Sequence, residues 1–342
     1  MSISYFQSDQ SVKGEHKMKK TMGLLISHKN NEKRRAILPE DVKRLNNPDM
    51  LFFETGYGDS VGHSDQEYLD AGANVVSREK AFQCDIITDV KLGDADYLDQ
   101  LENGKTLFGW AHAAQGITFT DVCLEKSFTV IAWEEIFEQG RYLFYRNREV
   151  AGEAAILQAF PYYGKMPYEC RVAIIGNGQT AKGAMRILHG LGAEVDVYGR
   201  KLETLFREKM IDYDVIVNCV MWDITRKDHL ISRDDLKRLK PHTMIVDVSC
   251  DAGLGIETSR PTTIDNPVYM EEGVLHYAVD NTPAMFPLTV TKVLSEGNVR
   301  IFDPVIESRL TPALENAVVI EDGHIRDRKV WDFREARGFF CR

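Results

Sequence analysis

The stretch RVAIIGNGQTAKGAMRILHGLGAEVDVYGRK, residues 171–201, has the residue types and spacing to hold a dinucleotide. An apolar run from Val172 to Ile175 leads into Gly176-x-Gly178-x-x-Ala181. A helical pattern and a second apolar run, Glu194 to Tyr198, follow. In such a site Gly176 allows the tight turn, Gly178 lets the backbone approach a pyrophosphate, and Ala181 lets helix and strand pack closely. The helix then turns free N–H groups and its positive dipole end toward the phosphates. The end of the second strand selects the cofactor. An NAD site usually has Asp or Glu there, bonded to the ribose 2′-hydroxyl, whereas this chain has Tyr198-Gly199-Arg200-Lys201. Glycine leaves room for a 2′-phosphate and two cations can pair with it, so NADPH is the expected cofactor. The plainer alternative is that Arg200 and Lys201 begin a solvated helix.

Further polar groups stand at the ends of apolar runs: Asn31-Glu32-Lys33-Arg34-Arg35, Lys91, His112, Asp247, Asp251 and Asn281. Ligands of α/β sheets bind beyond the carboxyl ends of strands, so this placement suits a site. Each also has an ordinary reading: a solvated cation, a core histidine, or a turn-forming Asp before Gly.

The elements that must position these groups alternate between strand and helix, which predicts an α/β protein with parallel sheets. Met22 to Ser27, Met50 to Glu54, Asp85 to Val90, Thr106 to Trp110 and Phe128 to Ala132 read as strands. Pro39-Glu40-Asp41 opens a helix, and Ser64-Asp65-Gln66-Glu67 is a capping box. Glu149 to Tyr163 has helical spacing and reads as a connecting helix. Asp214 to Val217 and Thr243 to Val248 continue the dinucleotide unit. Two domains are expected: a substrate domain at 19–148, an inserted Rossmann NADP-binding domain at 149–283, and a return to the substrate domain at 284–342. The first 18 residues read as a loose polar tail, and the segment after about Arg309 has too weak a periodicity to place.

At 342 residues, with 44% hydrophobic and 27% charged residues, the chain has room for two ordinary globular domains. A net charge of −10 argues against nucleic acid or an anionic membrane as partner. No apolar run has the length to span a bilayer, and the N-terminus lacks a secretory signal. The six cysteines lie far apart without a C-x-x-C pair, so neither a zinc site nor a disulfide framework is suggested, and no metal is expected. Buried free thiols in a cytoplasmic protein fit this pattern. The expected partners are small molecules, with self-association into a homo-oligomer.

NEKRRAILPE resembles the N-E-x-R-x-A-[IL]-x-P signature of alanine dehydrogenases and the related transhydrogenase subunit. DVSCDAGLGIETSRPTT and NPVYMEEGVLHYAVDNTPA are similar to a second signature of that superfamily. Within it, LFGWAHAAQ, IAWEEIFEQGR, REVAGEAAILQAF, VYGRK and CVMWDITRKDH look most like the N5-(carboxyethyl)ornithine synthases, which use NADPH to join pyruvate reductively to the side-chain amine of ornithine. The resemblance implies a pyruvate-binding Arg34, a substrate-binding Lys91, a catalytic His112, a catalytic-loop Asp251, and Asn281 near the nicotinamide. Trp110 stands where alanine dehydrogenases have tyrosine, and Gly199 where they have an acid.

The side-chain chemistry agrees with these roles. Arg34 can hold a 2-oxo acid carboxylate through two parallel bonds. Lys91 can polarise the carbonyl oxygen. His112, titrating near neutrality, can protonate a departing hydroxyl. Asp251 can orient a base or bind the incoming ammonium. Glu134, Glu135 and Glu153 are candidates for binding a cationic amino acid. The expected function is an NADP-dependent oxidoreductase acting on CH–NH bonds, joining pyruvate to L-ornithine or L-lysine. The alternatives are an amino-acid dehydrogenase using ammonia and a non-catalytic NADPH-binding regulator.

Overall fold

The computed structural model describes residues 18–223 and 226–341. The N-terminal tail up to residue 17, and Ile224 and Thr225 within CVMWDITRKDH, lie outside them. Six parallel strands form the first sheet: β1 (Met22–Leu24), β2 (Leu51–Glu54), β3 (Asn74–Val76), β4 (Ile86–Asp89), β5 (Thr106–Gly109) and β6 (Thr129–Ala132). A short hairpin, β7 (Phe137–Glu138) with β8 (Arg141–Tyr142), follows. The second sheet contains β9 (Arg171–Ile175), β10 (Glu194–Tyr198), β11 (Val215–Asn218), β12 (Met244–Asp247), β13 (Val268–Glu271) and β14 (Val274–Tyr277). The chain then returns to the first sheet with β15 (Val318–Glu321) and β16 (His324–Ile325).

The first sheet runs β16-β15-β6-β5-β4-β1-β2-β3, and the second β10-β9-β11-β12-β14-β13. Both are doubly wound. In the first the order reverses between β1 and β4, and in the second between β9 and β11, so each has a switch-point crevice at its carboxyl edge. The protein is thus an α/β molecule in which a Rossmann unit is inserted into a discontinuous α/β unit.

Alternation of side chains along the strands builds a core on each face. In β9, Val172 and Ile174 pack with Ala181 and Leu188 of the helix Gln179–Gly190, while Ala173 and Ile175 pack on the other face with Phe206 and Ile216. The segment after Arg309, unreadable from periodicity, contributes Val318 and Val319 to opposite cores of the first sheet. β15 pairs antiparallel with β6 through an irregular register. Four-residue strands leave too few alternations to register as a pattern. The β13–β14 hairpin was also not foreseen, although Glu272-Gly273 marks its turn.

The connecting helix is longer than expected, Tyr145–Tyr163, and begins directly after the hairpin. It crosses the helix Gln179–Gly190 at very short range. A Cβ on Gly152 would lie 2.0 Å from the Thr180 carbonyl oxygen, and one on Gly183 1.9 Å from that of Glu149. Arg146 and Arg186, bonded to Glu149 and Glu153, brace the crossing. Alanine favours a helix over glycine by about 1 kcal/mol, but here it must push two backbones apart. Gly183→Ala is therefore expected to lower unfolding stability in urea by about 1–3 kcal/mol. Gly190→Ala on the same helix, where a Cβ meets nothing within 4 Å, should cause no such loss. Equal behaviour of the two variants would show that the crossing does not constrain the fold.

Candidate active site

The loops beyond β1, β4 and β5 converge where the order of the first sheet reverses. Arg34 lies on the loop after β1, which is stapled by the helix Pro287–Asn298: Thr291 accepts the Arg35 N–H, Ser295 accepts the Leu38 N–H, and Asn298 donates to the Ala36 carbonyl. Arg34 is 2% exposed. Its Nε and Nη2 donate to the two oxygens of Glu32, at 2.8 and 2.5 Å. Nη2 also donates to Asn281 Oδ1 at 2.6 Å and Nη1 to Asn147 Oδ1 at 3.0 Å. The guanidinium lies over Trp110, 5.0 Å from the ring centroid. Asn281 closes the triangle by donating to Glu32 at 2.8 Å. Burial would raise the Glu32 pKa, but the charge and hydrogen bonds of Arg34 and the bond from Asn281 hold it down, to about 2. The two-pronged face of Arg34 expected to grip a substrate is thus already taken by Glu32. The acceptors on the outer nitrogens include two neutral amides.

Lys91 and His112 form a second group. The Lys91 turn is pressed against the His112 loop because Gly93 permits it: a Cβ there would lie 2.2 Å from the Ala111 carbonyl oxygen, and the Gly93 N–H donates to Trp110 at 2.9 Å. Lys91 Nζ pairs with Asp94 at 3.1 Å. Asp94 also pairs with Lys29, which in turn pairs with Asp280 of the Rossmann unit at 2.5 Å. His112 has a left-handed backbone, φ 46°. Glu134 holds that conformation by accepting the N–H groups of Ala111 and His112 at 3.2 and 2.5 Å. Burial pushes the Glu134 pKa up, to about 7.

His112 departs from the expectation of titration near neutrality. Crowding by protein first, and the Lys91 charge second, push its pKa down to about 4, against the pull of Asp280 and Asp94. The residue remains open to solvent, which softens the first effect, and the Lys91 charge preserves the direction. At neutral pH His112 is therefore an uncharged acceptor of protons.

Among the described residues, no hydrogen bond or ion pair joins Asp251 to Arg34, Lys91 or His112. Asp251 sits on the loop after β12, next to Cys250 with φ 56°, and bonds the Trp222 backbone. Burial first, and the charge of Asp247 second, push its pKa up to about 6. Asp247 itself is structural, accepting from Asn218, Ser249 and Ser259. The other acidic candidates are engaged: Glu134 on the His112 loop, Glu135 with Lys329, and Glu153 with Arg146 and Arg186. Sequence reasoning did not single out Glu32, Lys29, Asp94, Asn147 or Asp280. Glu32 and Asp280 lay within quoted motifs, but only contacts between distant segments reveal their partners.

The switch point of the second sheet carries the residues expected to hold the cofactor. Gly176 has φ 113° and opposes the Cys219 carbonyl. Gly178 precedes the helix Gln179–Gly190, and a Cβ there would meet nothing within 4 Å, leaving open space before the helix start. Ala181 is fully buried. Beside them lies a cavity of about 540 Å³ lined by Asn177, Met185, Val197, Gly199, Arg200, Lys201 and Leu202. Two cations and no carboxylate line it. Asp196, the nearest acid on β10, is bonded to Arg171 and Tyr213, and Glu203 to Arg207 and Arg226. Among the described residues Arg200 and Lys201 have no acidic partner. These features fit a nicotinamide dinucleotide.

The neutral state of His112 has a direct check. Its imidazole resonance, assigned by comparison with His112→Asn, should stay constant between about pH 5.5 and 8, the interval in which an unperturbed histidine titrates. It should move only as the pH falls toward about 4. A midpoint near the ordinary value would show that neither crowding by protein nor the Lys91 charge acts on the ring.

Residues 25–144 match the family model described as alanine dehydrogenase/PNT, N-terminal domain, and residues 199–328 the corresponding C-terminal domain. The chain is 31% identical over 292 residues to the N(5)-(carboxyethyl)ornithine synthase of Clostridium botulinum, covering 80% of this chain and 91% of that protein. It is 34% identical over the same length to that of Lactococcus lactis subsp. lactis, covering 80% and 92%. A solved L-alanine dehydrogenase shares the fold, with a TM-score of 0.77 and 22% identity, covering 92% of this chain and 99% of that one. The chain belongs to the alanine dehydrogenase/PNT family, on the side that includes the N(5)-(carboxyethyl)ornithine synthases, and is an oxidoreductase acting on CH–NH bonds.

Proposed function

We propose that the protein catalyses the NADPH-dependent reductive condensation of pyruvate with the side-chain amine of L-ornithine, or of L-lysine, to an N-(1-carboxyethyl) amino acid. The observation that carries this reading is the convergence of Arg34, Lys91 and His112 on the loops beyond β1, β4 and β5, at the carboxyl edge of the first sheet. The two relatives named N(5)-(carboxyethyl)ornithine synthase support the choice of ornithine. In this reading residues 19–148 and 284–342 handle substrate and 149–283 the cofactor. The protein works in the cytoplasm as a homo-oligomer, a location in keeping with six free cysteines.

Arg34 receives the pyruvate carboxylate at its outer nitrogens, where an anion outcompetes the amides of Asn147 and Asn281. Lys91 donates to the carbonyl oxygen and stabilises the charge that develops there. On attack the amine nitrogen passes one proton through His112 to the carbonyl oxygen, giving a neutral carbinolamine; as the C=N bond forms, His112 relays the second N–H proton to the hydroxyl, which leaves as water. Asp251, with its pKa raised to about 6, orders the loop near the reaction and exchanges protons close to neutrality. The nicotinamide, when bound, supplies the hydride.

Purified protein given pyruvate, NADPH and L-ornithine is expected to consume NADPH and form a secondary amine heavier than ornithine by a carboxyethyl unit, read by mass spectrometry. Equal or faster turnover with ammonium, yielding alanine, would replace this reading with an amino-acid dehydrogenase.

The cofactor preference rests on the lining of the cavity at Gly199. A 2′-phosphate carries nearly two charges near neutral pH, and Arg200 offers it a planar fork. Wild type should prefer NADPH to NADH in kcat/KM. Loss of one charge-assisted contact costs about 1.5–3 kcal/mol, so Arg200→Ala should cut that preference by roughly 10- to 150-fold. Equal efficiencies in wild type, or an unchanged ratio in the variant, would mean that these cations only solvate the turn.

A further inference from the structure

We propose that Asp280 is the seat of the substrate's reacting ammonium, and that Lys29 fills this seat until the amine arrives. The inference rests on the reading above and adds the group that selects the amine. A primary alkylamine reaches the enzyme as an ammonium, because its pKa lies near that of lysine, about 10.4. The reaction centre already holds the ammonium of Lys91 and would repel another cation without an anion to receive it. Asp280 supplies that anion. It stands between the β14 strand and Asn281, and its carboxyl is held below the usual range, despite burial, by the charges of Lys91 and Lys29 and the hydrogen bond from Lys29. Its direct partner is Lys29, at 2.5 Å. Nearly half of the Asp280 side chain, 48%, remains exposed, so a ligand can reach it.

What occupies the seat identifies its ligand. Lys29 Nζ lies 2.5 Å from Asp280 and 3.1 Å from Asp94. It is a primary ammonium on an unbranched four-carbon stem, the same chemical group that the side chain of ornithine or lysine presents. The ammonium of Lys91 shares Asp94, so if Lys29 withdraws, Asp94 keeps a partner and Asp280 is left free. A substrate ammonium that replaces Lys29 is held at the Asp280 carboxylate, and the fraction that gives its proton to solvent presents the nitrogen lone pair for attack. Asp280 acts here as a positioning and specificity-determining group and undergoes no covalent change.

A merely structural role is the main competitor, since Lys29 lies after β1 and Asp280 after β14, and their pair ties the two units together. The two roles differ in the sign of their effects. Asp280→Asn removes the seat, whereas Lys29→Met breaks the same ion pair but leaves the carboxylate free. The test is steady-state kinetics of both variants at saturating NADPH, varying pyruvate and L-ornithine separately. Asp280→Asn should raise the KM for ornithine by roughly tenfold or more, with the KM for pyruvate changed much less. Lys29→Met should lower the KM for ornithine. Increases in both variants, or equal changes in both Michaelis constants, would overturn the seat and leave a latch between units. If wild type consumes only ammonium, the condensation reading fails on that result alone. The same comparison, made with ammonium as the varied substrate, then still decides the role of Asp280.

Discussion

A buried charge that cannot be left unpaired organises this molecule. Arg34 and Glu32 have side chains that are 1% and 0% exposed. Removing one partner from such a pair typically costs about 3–5 kcal/mol, because the remaining ion is stranded in a poor solvent. An exposed pair such as Lys237 with Asp234 contributes at most about 1 kcal/mol. Arg34 and Glu32 belong to the first unit, but Asn281, which bonds both, comes at the end of the inserted one. Completing the polar shell of the ion pair therefore requires the two units to meet at this point. The cleft is aligned by the same bonds that complete the shell of this ion pair.

Backbone geometry around this pair is unusual in a consistent way. Asn31, His112, Cys250 and Asn281 all have positive φ, between 46° and 67°, a region that L-residues other than glycine occupy infrequently. Each lies on a loop leaving the carboxyl end of a parallel strand. Such conformations persist only where surroundings impose them, and the surroundings can be named. Glu134 grips the backbone of His112, the side chain of Asn281 is fixed by Glu32 and Arg34, and the Cys250 thiol bonds the Asp247 and Val279 carbonyls. Rigid placement of loop residues lets a site assembled from distant segments hold its groups close to working geometry.

Charge in the cleft is nearly balanced by pairing, and this explains the state of His112. Lys91 and Lys29 are matched by Asp94 and Asp280, so the pull of those two acids on the imidazole does not offset its crowding by protein and the field of Lys91. A histidine read in isolation titrates near neutrality. Read among these neighbours it is uncharged at neutral pH.

Patterns that depend on neighbours in the chain were legible in the residues themselves. The apolar run before Gly176 and the small residues at 178 and 181 specify a strand, a turn and a helix locally, and they appear at β9 and the helix Gln179–Gly190. The absence of an acid after Tyr198 is equally local, and a cavity lined by Arg200 and Lys201 opens there. The polar groups at 34, 91, 112 and 281 were visible as residues that end apolar runs. The sequence alone thus determined the α/β class, the dinucleotide motif and some of the polar residues that end the strands around the cleft. Tertiary structure alone decided what each group is bonded to: Glu32 on the fork of Arg34, Lys29 between Asp94 and Asp280, Glu134 on the His112 backbone, and β15 beside β6. Lys29 and Asp280 are separated by 251 residues. A pattern of apolar spacing shows which face of an element is buried, but protonation and partner choice follow from the field of groups brought together by folding.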